Sequence, residues 1–136
     1  MSPTTFKVED VVAVAEFRTA LRRFARRSER VARQYGLTPQ RYQLLLMIKG
    51  SADGKERSTV TELADRLQLA QSTVTELVRR AEEIGLVTRE QSPDDARVAH
   101  LRLTPDGDRR LMLSFTELAK ERANLREAFD ALDEAL

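Results

Sequence analysis

The chain has 136 residues, enough for one domain with its own hydrophobic core. Apolar residues make up 41% and charged residues 33%, the balance of a folded domain rather than a disordered one, and the net charge of +1 singles out no partner. With no cysteine and a single histidine, His100, the composition excludes disulfides, thiolate or His-rich metal sites and thiol redox switches.

The N-terminal stretch "MSPTTFKVED" lacks the charged-then-apolar layout of a signal peptide. The apolar run Leu44–Ile48, which no other run exceeds, is far too short to span a bilayer. No membrane association is expected, and a cytoplasmic location follows. Residues 8–35 contain no Gly or Pro, and Val14, Phe17, Leu21, Phe24, Ala25, Ser28, Val31 and Tyr35 recur at three- and four-residue steps. That spacing predicts an amphipathic helix closed by Gly36. At 1.5 Å per residue it would be roughly 40 Å long, more than a small domain needs, so part of it is expected to pack on a second subunit. Between Arg18 and Arg41 there are eight arginines and one acid, Glu29; most of these arginines read as a solvated helix face.

"LTPQRYQLLLMIKG" predicts a second helix, with Thr38 as N-cap and Pro39 in the first position. Tyr42, Leu45, Leu46 and Lys49 would line one side. Gly50–Ser58 is a polar loop. Thr59-Val60-Thr61-Glu62 is a capping box before Leu63, Ala64 and Leu67, and so opens a short helix. After a break at Gln68–Ala70, another helix is expected from Gln71 to Ile84. Its inner stripe would be Val74, Leu77, Val78, Ala81 and Ile84, with Gly85 closing it. Two short helices across a tight turn make a helix-turn-helix pattern.

Leu86–Gln91 and Val98–Leu103 alternate like strands, and Ser92–Arg97 between them are turn formers or charged, which predicts a β-hairpin. Thr104 and Pro105 then start a last helical stretch with no Gly or Pro after Asp108. Leu111, Phe115, Leu118, Leu125, Phe129, Leu132 and Leu136 recur there at heptad-like spacing, interrupted by Arg122. Such a seam asks for a partner helix.

The predicted fold is therefore mainly α with a small β-hairpin wing: a winged helix-turn-helix between N- and C-terminal helical arms. In this order the chain resembles the MarR family of transcriptional regulators. The resemblance runs through "TVTELADRLQLAQSTVTELVRRAEEIGLVTREQSPDDARVAHLRLTPDG", Thr59 to Gly107, with Asp95-x-Arg97 and Leu103-Thr104 matching the family's D-x-R-x5-L-T wing signature; "LTPQRYQLLLMI" extends it upstream. It implies one domain over 1–136, with dimerisation helices at 8–35 and 104–136 and a DNA-binding region at 37–103. It also implies a homodimer that binds pseudo-palindromic double-stranded DNA as a repressor and releases it on binding a small-molecule effector. No residue identifies that effector, and no cofactor or metal is expected. The family's final helix turns back to finish the dimer interface. Here no turn is visible after Asp108, so the last two helices are expected to be merged or the final one missing.

On the second helix of the pair, Ser72, Thr73, Thr75, Glu76, Arg79 and Arg80 form the outward face, with Gln71 in the first turn. Such a helix enters the major groove, where Gln71 suits adenine, Arg79 guanine and Glu76 cytosine, while Ser72, Thr73 and Arg80 suit phosphates. The plainer reading of the face is solvation, with Glu76 and Arg79 paired at i,i+3. Arg97 at the hairpin tip is expected in the minor groove, with Asp95 holding the arginine or the turn. Without the groove, the Arg97 pair would be a surface salt bridge worth about 0–1 kcal/mol. Two other classes compete. A winged-helix protein–protein interaction module without DNA specificity draws support from residues 57–110, which carry nine bases and ten acids. An enzyme would need a nucleophile–base pair or a phosphate loop, and neither is present at a recognised spacing.

Overall fold

The computed structural model describes residues 5–136, and the first four residues of the N-terminal stretch lie outside it. Helix α1 spans Val8–Gln34 and opens with the Lys7 backbone N–H donating to the Asp10 carboxylate at 3.0 Å. It ends where Leu37 N–H reaches back to the Ala32 carbonyl at 2.9 Å, with Gly36 at φ +77°. Gly36 answers two demands at once. The left-handed conformation favours it, and a Cβ there would overlap the Arg110 guanidinium, which donates to the Tyr35 carbonyl at 3.3 Å.

Helix α2, Pro39–Lys49, is capped by Thr38, whose hydroxyl accepts from Arg41 N–H at 3.2 Å. Tyr42, Leu44, Leu45 and Ile48 are all buried, on more than one side of α2, which makes it the central helix, while Gln40 and Gln43 stay exposed. Lys49 does not join that core. Its ammonium pairs with Asp108 at 2.5 Å and Glu56 at 2.8 Å, because a buried cation without partners would cost far more than it gains. Arg66 closes the C-terminus of α2 by donating to the carbonyls of Met47 and Gly50 at 3.2 and 2.9 Å.

Helix α3, Val60–Leu67, carries the full capping box: Thr59 Oγ1 accepts from Glu62 N–H at 3.2 Å, and Glu62 accepts from Thr59 N–H at 3.3 Å. Gln68 turns the chain at φ +56°, and helix α4 runs Gln71–Glu83. Val74, Val78 and Ala81 are buried and Leu77 is half-buried, as the periodicity requires. Ile84 departs from the expected stripe: it is 50% exposed, because the helix ends there and the chain turns through Gly85.

Strands β1 (Val87–Gln91) and β2 (Ala99–Leu103) pair antiparallel, from Val87 opposite Leu103 to Gln91 opposite Ala99. Ser58 adds a one-residue bridge, exchanging both backbone hydrogen bonds with Leu101 at 3.1 and 2.8 Å. Leu86, Val87 and Leu101 bury the base of the hairpin, while its far end stands in solvent.

Helix α5, Pro105–Glu117, starts at Thr104, whose Oγ1 accepts from Gly107 N–H at 3.1 Å and whose hydroxyl donates to the Gly85 carbonyl at 2.6 Å. Gly107 lies against the Leu86 carbonyl so closely that a Cβ would overlap it. The C-terminal arm corrects the sequence reading. It is neither one merged helix nor a missing one: α5 stops at Leu118, and helix α6 runs Ala119–Ala135. No Gly or Pro marks the break. Leu118 is fully buried, and Arg122 satisfies the end of α5 by donating to the Phe115 carbonyl at 2.6 Å while its guanidinium lies 3.8 Å over the Phe115 ring. The residue that interrupted the heptad seam therefore serves the break.

Helix α6 runs antiparallel to α1. Phe129 meets Phe17 edge-to-face at 6.1 Å, Glu121 meets Arg27 at 3.2 Å, and Glu117 accepts from the Tyr35 hydroxyl at 2.9 Å. That bond, more than burial, raises the Tyr35 pKa. The predicted seam is split by the break: Leu111 and Leu118 enter the core, whereas Phe115, Phe129 and Leu136 remain exposed.

Candidate nucleic-acid interface

Helix α4 is pinned by Val74, Val78 and Ala81, so its opposite side must face out. Gln71, Ser72, Thr73, Thr75, Arg79 and Arg80 are exposed there and Glu76 is half-exposed among them. Ala70, at the N-cap, has no side chain that can accept a hydrogen bond, so the first-turn N–H groups keep no side-chain partner. Gln71 Nε2 approaches Thr61 Oγ1 at 3.4 Å, tying the start of α4 to α3. Ser72, Thr73, Glu76 and Arg80 border a shallow groove together with Gln40 from the first turn of α2. Nothing local in the sequence distinguishes Gln40; only the packing of α2 beside α4 brings it there.

The arginines of this region are not free. Arg79 pairs with both oxygens of Glu76, Nε at 3.0 Å and Nη2 at 2.5 Å, and its Nη1 meets Glu83. Arg80 Nε shares Glu76 Oε1 at 3.1 Å. The two guanidiniums hold the Glu76 carboxyl down to about 2, far below its ordinary range. Along the wing, Arg89 pairs with Glu82 at 2.8 Å and Arg102 with Glu90 at 2.6 Å, which lowers the Glu90 pKa. At the start of α5, Asp106 takes Arg109 at 2.8 Å and Arg110 at 3.1 Å.

Arg97 stands at the wing tip with its side chain 91% exposed. Asp95 Oδ1 accepts from its backbone N–H at 3.0 Å and from its Nε at 3.3 Å, so the bond within the turn and the carboxylate–guanidinium pair occur together. Gln91 donates to the Ala96 carbonyl, and Ser92 N–H donates to the Val98 carbonyl at 3.0 Å, closing the loop below the tip. His100 sits opposite Glu90 on the return strand. Among the described residues, no group of His, Asp and Glu is placed to hold a metal ion, and no helix is long and apolar enough to cross a membrane.

A helix-turn-helix whose second helix is exposed along one face, followed by a two-stranded wing, defines a winged-helix protein. Residues 35–98 match the MarR family. The chain is 30% identical over 122 residues to an uncharacterized HTH-type transcriptional regulator, YsmB, of Bacillus subtilis, covering 87% of this chain and 79% of that protein. Its fold is similar to that of a MarR family protein from Bacillus stearothermophilus (TM-score 0.74, 27% identity, 92% of this chain and 85% of that one). It is also similar to a mutant MarR from E. coli complexed with operator DNA (TM-score 0.65, 18% identity, 90% and 85%). The chain belongs to the MarR family of DNA-binding transcriptional regulators, which are not enzymes.

Proposed function

We propose that the protein acts in the cytoplasm as a homodimeric repressor on a pseudo-palindromic operator, released by a small-molecule effector. The observation that carries this reading is the pairing of an outward α4 face with an exposed, pre-oriented Arg97 on the same winged unit. Gln71 and Arg79 meet base edges in the major groove. Ser72, Thr73, Thr75 and Arg80 meet phosphates and sugars, and the uncapped first turn of α4 adds backbone N–H donors. Glu76 sits between these two groups. Arg97 reaches the minor groove, where narrow A·T stretches attract a guanidinium. The operator complex of the E. coli neighbour supports DNA as the partner of this surface.

Dimerisation uses residues 8–35 and 104–136. Its support is the apolar surface left uncovered on those segments: Val11, Val14 and Leu21 on α1, Met112 and Leu113 on α5, Phe129 on α6 and Leu136 just after it are 37–64% exposed. A repressor needs no more than occupancy, since a dimer on two adjacent turns of DNA excludes other proteins from them. The test is selection of bound duplexes from a random pool, with gel filtration of the complex. Two related half-sites about one helical turn, roughly 10 bp, apart are expected, with two chains per duplex. A monomer, or a pool with no enriched sequence, would refute the proposal.

A further inference from the structure

The winged region lacks the positive charge that a DNA-binding surface usually carries. Residues 57–110 hold nine arginines and ten acids, and seven of those arginines pair with carboxylates. Glu76 is the centre of this compensation on α4. It lies one turn from Ser72 and Thr73 on one side and from Arg79 and Arg80 on the other, in the middle of the outward face. It binds the Arg79 fork with both oxygens and Arg80 with one. The side chains of all three are about half-exposed, so a phosphate can displace these pairs at little cost. What DNA cannot displace is the carboxylate itself, which is fixed on the helix and stays within the contact.

We infer that Glu76 sets the specificity of the interface by holding Arg79 and Arg80 back from the phosphates of random DNA. It releases them where a base-edge amino group takes their place on its carboxylate. The inference rests on the reading of α4 as the major-groove helix. On a matched site the amino group of cytosine or adenine donates to Glu76, which releases Arg80 and leaves Arg79 held only by its exposed pair with Glu83, so both can turn to DNA. On an unmatched site, freeing them leaves a bare carboxylate beside the phosphate backbone. That like-charge contact, rather than any added attraction, is what discriminates. Glu76 then acts through the arginines as well as on a base.

The test compares wild type with Glu76→Gln on a duplex selected from a random pool and on random duplex of equal length, between 50 and 200 mM NaCl. For Glu76→Gln, affinity for random duplex should rise about 5–10-fold at low salt. Its log–log salt slope should steepen by about 1–2, as Arg80 becomes free to neutralise phosphates and Arg79 keeps only its exposed pair with Glu83. Affinity for the selected duplex should not rise, so the ratio between the two falls about tenfold. Glu82→Gln adds the same charge to the same helix but frees Arg89 instead; its ratio should stay within about twofold of wild type. Glu76→Asp keeps the charge and should keep the wild-type slope. A Glu76→Gln protein with wild-type affinity and slope on random duplex overturns the inference. So does a Glu82→Gln protein whose ratio falls equally, because net charge alone then explains the effect. In both cases wild-type binding stands. A wild type that binds neither duplex overturns the DNA reading itself.

Discussion

Asp95 and Arg97 form a closed unit at the tip of the wing, in which one carboxylate oxygen accepts from both the Arg97 backbone N–H and its Nε. The first bond shapes the turn and the second aims the guanidinium. Neither is buried, so the arginine can exchange its partner for DNA without a large desolvation cost. Arg97→Ala should therefore weaken operator binding by about 1–2 kcal/mol, most on A·T-flanked sites. Asp95→Ala should weaken it less. In the Arg97→Ala background it should add almost nothing, since its effect runs through the arginine. A double-mutant cycle on one duplex reads this directly; an Asp95 effect that is the same in both backgrounds would show an independent role.

Gly107 carries the junction between the wing and α5. A Cβ there overlaps the Leu86 carbonyl, and neither backbone segment can retreat without pulling on Thr104, which bonds to both the Gly85 and Leu86 carbonyls. Gly107→Ala should destabilise the fold by about 1–3 kcal/mol, as measured by urea unfolding. A variant as stable as wild type would mean that the junction is looser than its geometry indicates.

Glu76 should also leave a mark on acid stability. Its folded-state pKa, about 2, lies below the ordinary value of 4.5 because Arg79 and Arg80 favour the ionised form. A lowered carboxyl pKa contributes stability that is fully present above about 4.5 and is lost as pH falls from there through about 2. Melting temperatures of wild type and Glu76→Gln should therefore differ by a constant amount between pH 6 and 8 and converge between pH 4.5 and 2. A difference that persists at pH 2 would assign the stabilisation to packing rather than to charge.

The exposed apolar residues of α1 supply the test of the dimer. Val14 and Leu21 are 40% and 37% exposed, so glutamate at both positions should leave the monomer's own core intact. Val14→Glu with Leu21→Glu should run as a monomer on gel filtration with unchanged helical circular dichroism. Loss of bivalent engagement should then cost about a hundredfold or more in operator affinity. A double variant that remains dimeric would place the interface elsewhere.

Local rules made much of this architecture readable. The caps at Thr38, Thr59 and Thr104 are determined by three or four consecutive residues, and all three make the expected bonds. The inner stripe of α4 follows from its period, which in turn determines the outward face. The break at Leu118 was not readable, because its cause is distributed. A buried leucine, a guanidinium four residues on and the packing of α6 along α1 act together, and none is a helix breaker by itself. Ser58 was hidden for the same reason: as a loop residue it looks polar and idle, and only the arrival of Leu101 makes it a one-residue bridge to the hairpin.

By itself, then, the sequence determined the order of elements as far as α5, the helix starts at Thr38, Thr59 and Thr104, the outward set on α4 and the Asp95–Arg97 pair, because each depends on neighbours within about one turn. The tertiary structure alone decided that α5 and α6 are separate helices, that Lys49 leaves the core for Asp108 and Glu56, and that Arg66 closes α2. It also decided that Arg80 shares the carboxylate that binds Arg79. Those outcomes depend on groups that are distant in sequence, or on one acceptor divided between competing donors. Periodicity records which side a residue faces, but it does not record which partner it finds there.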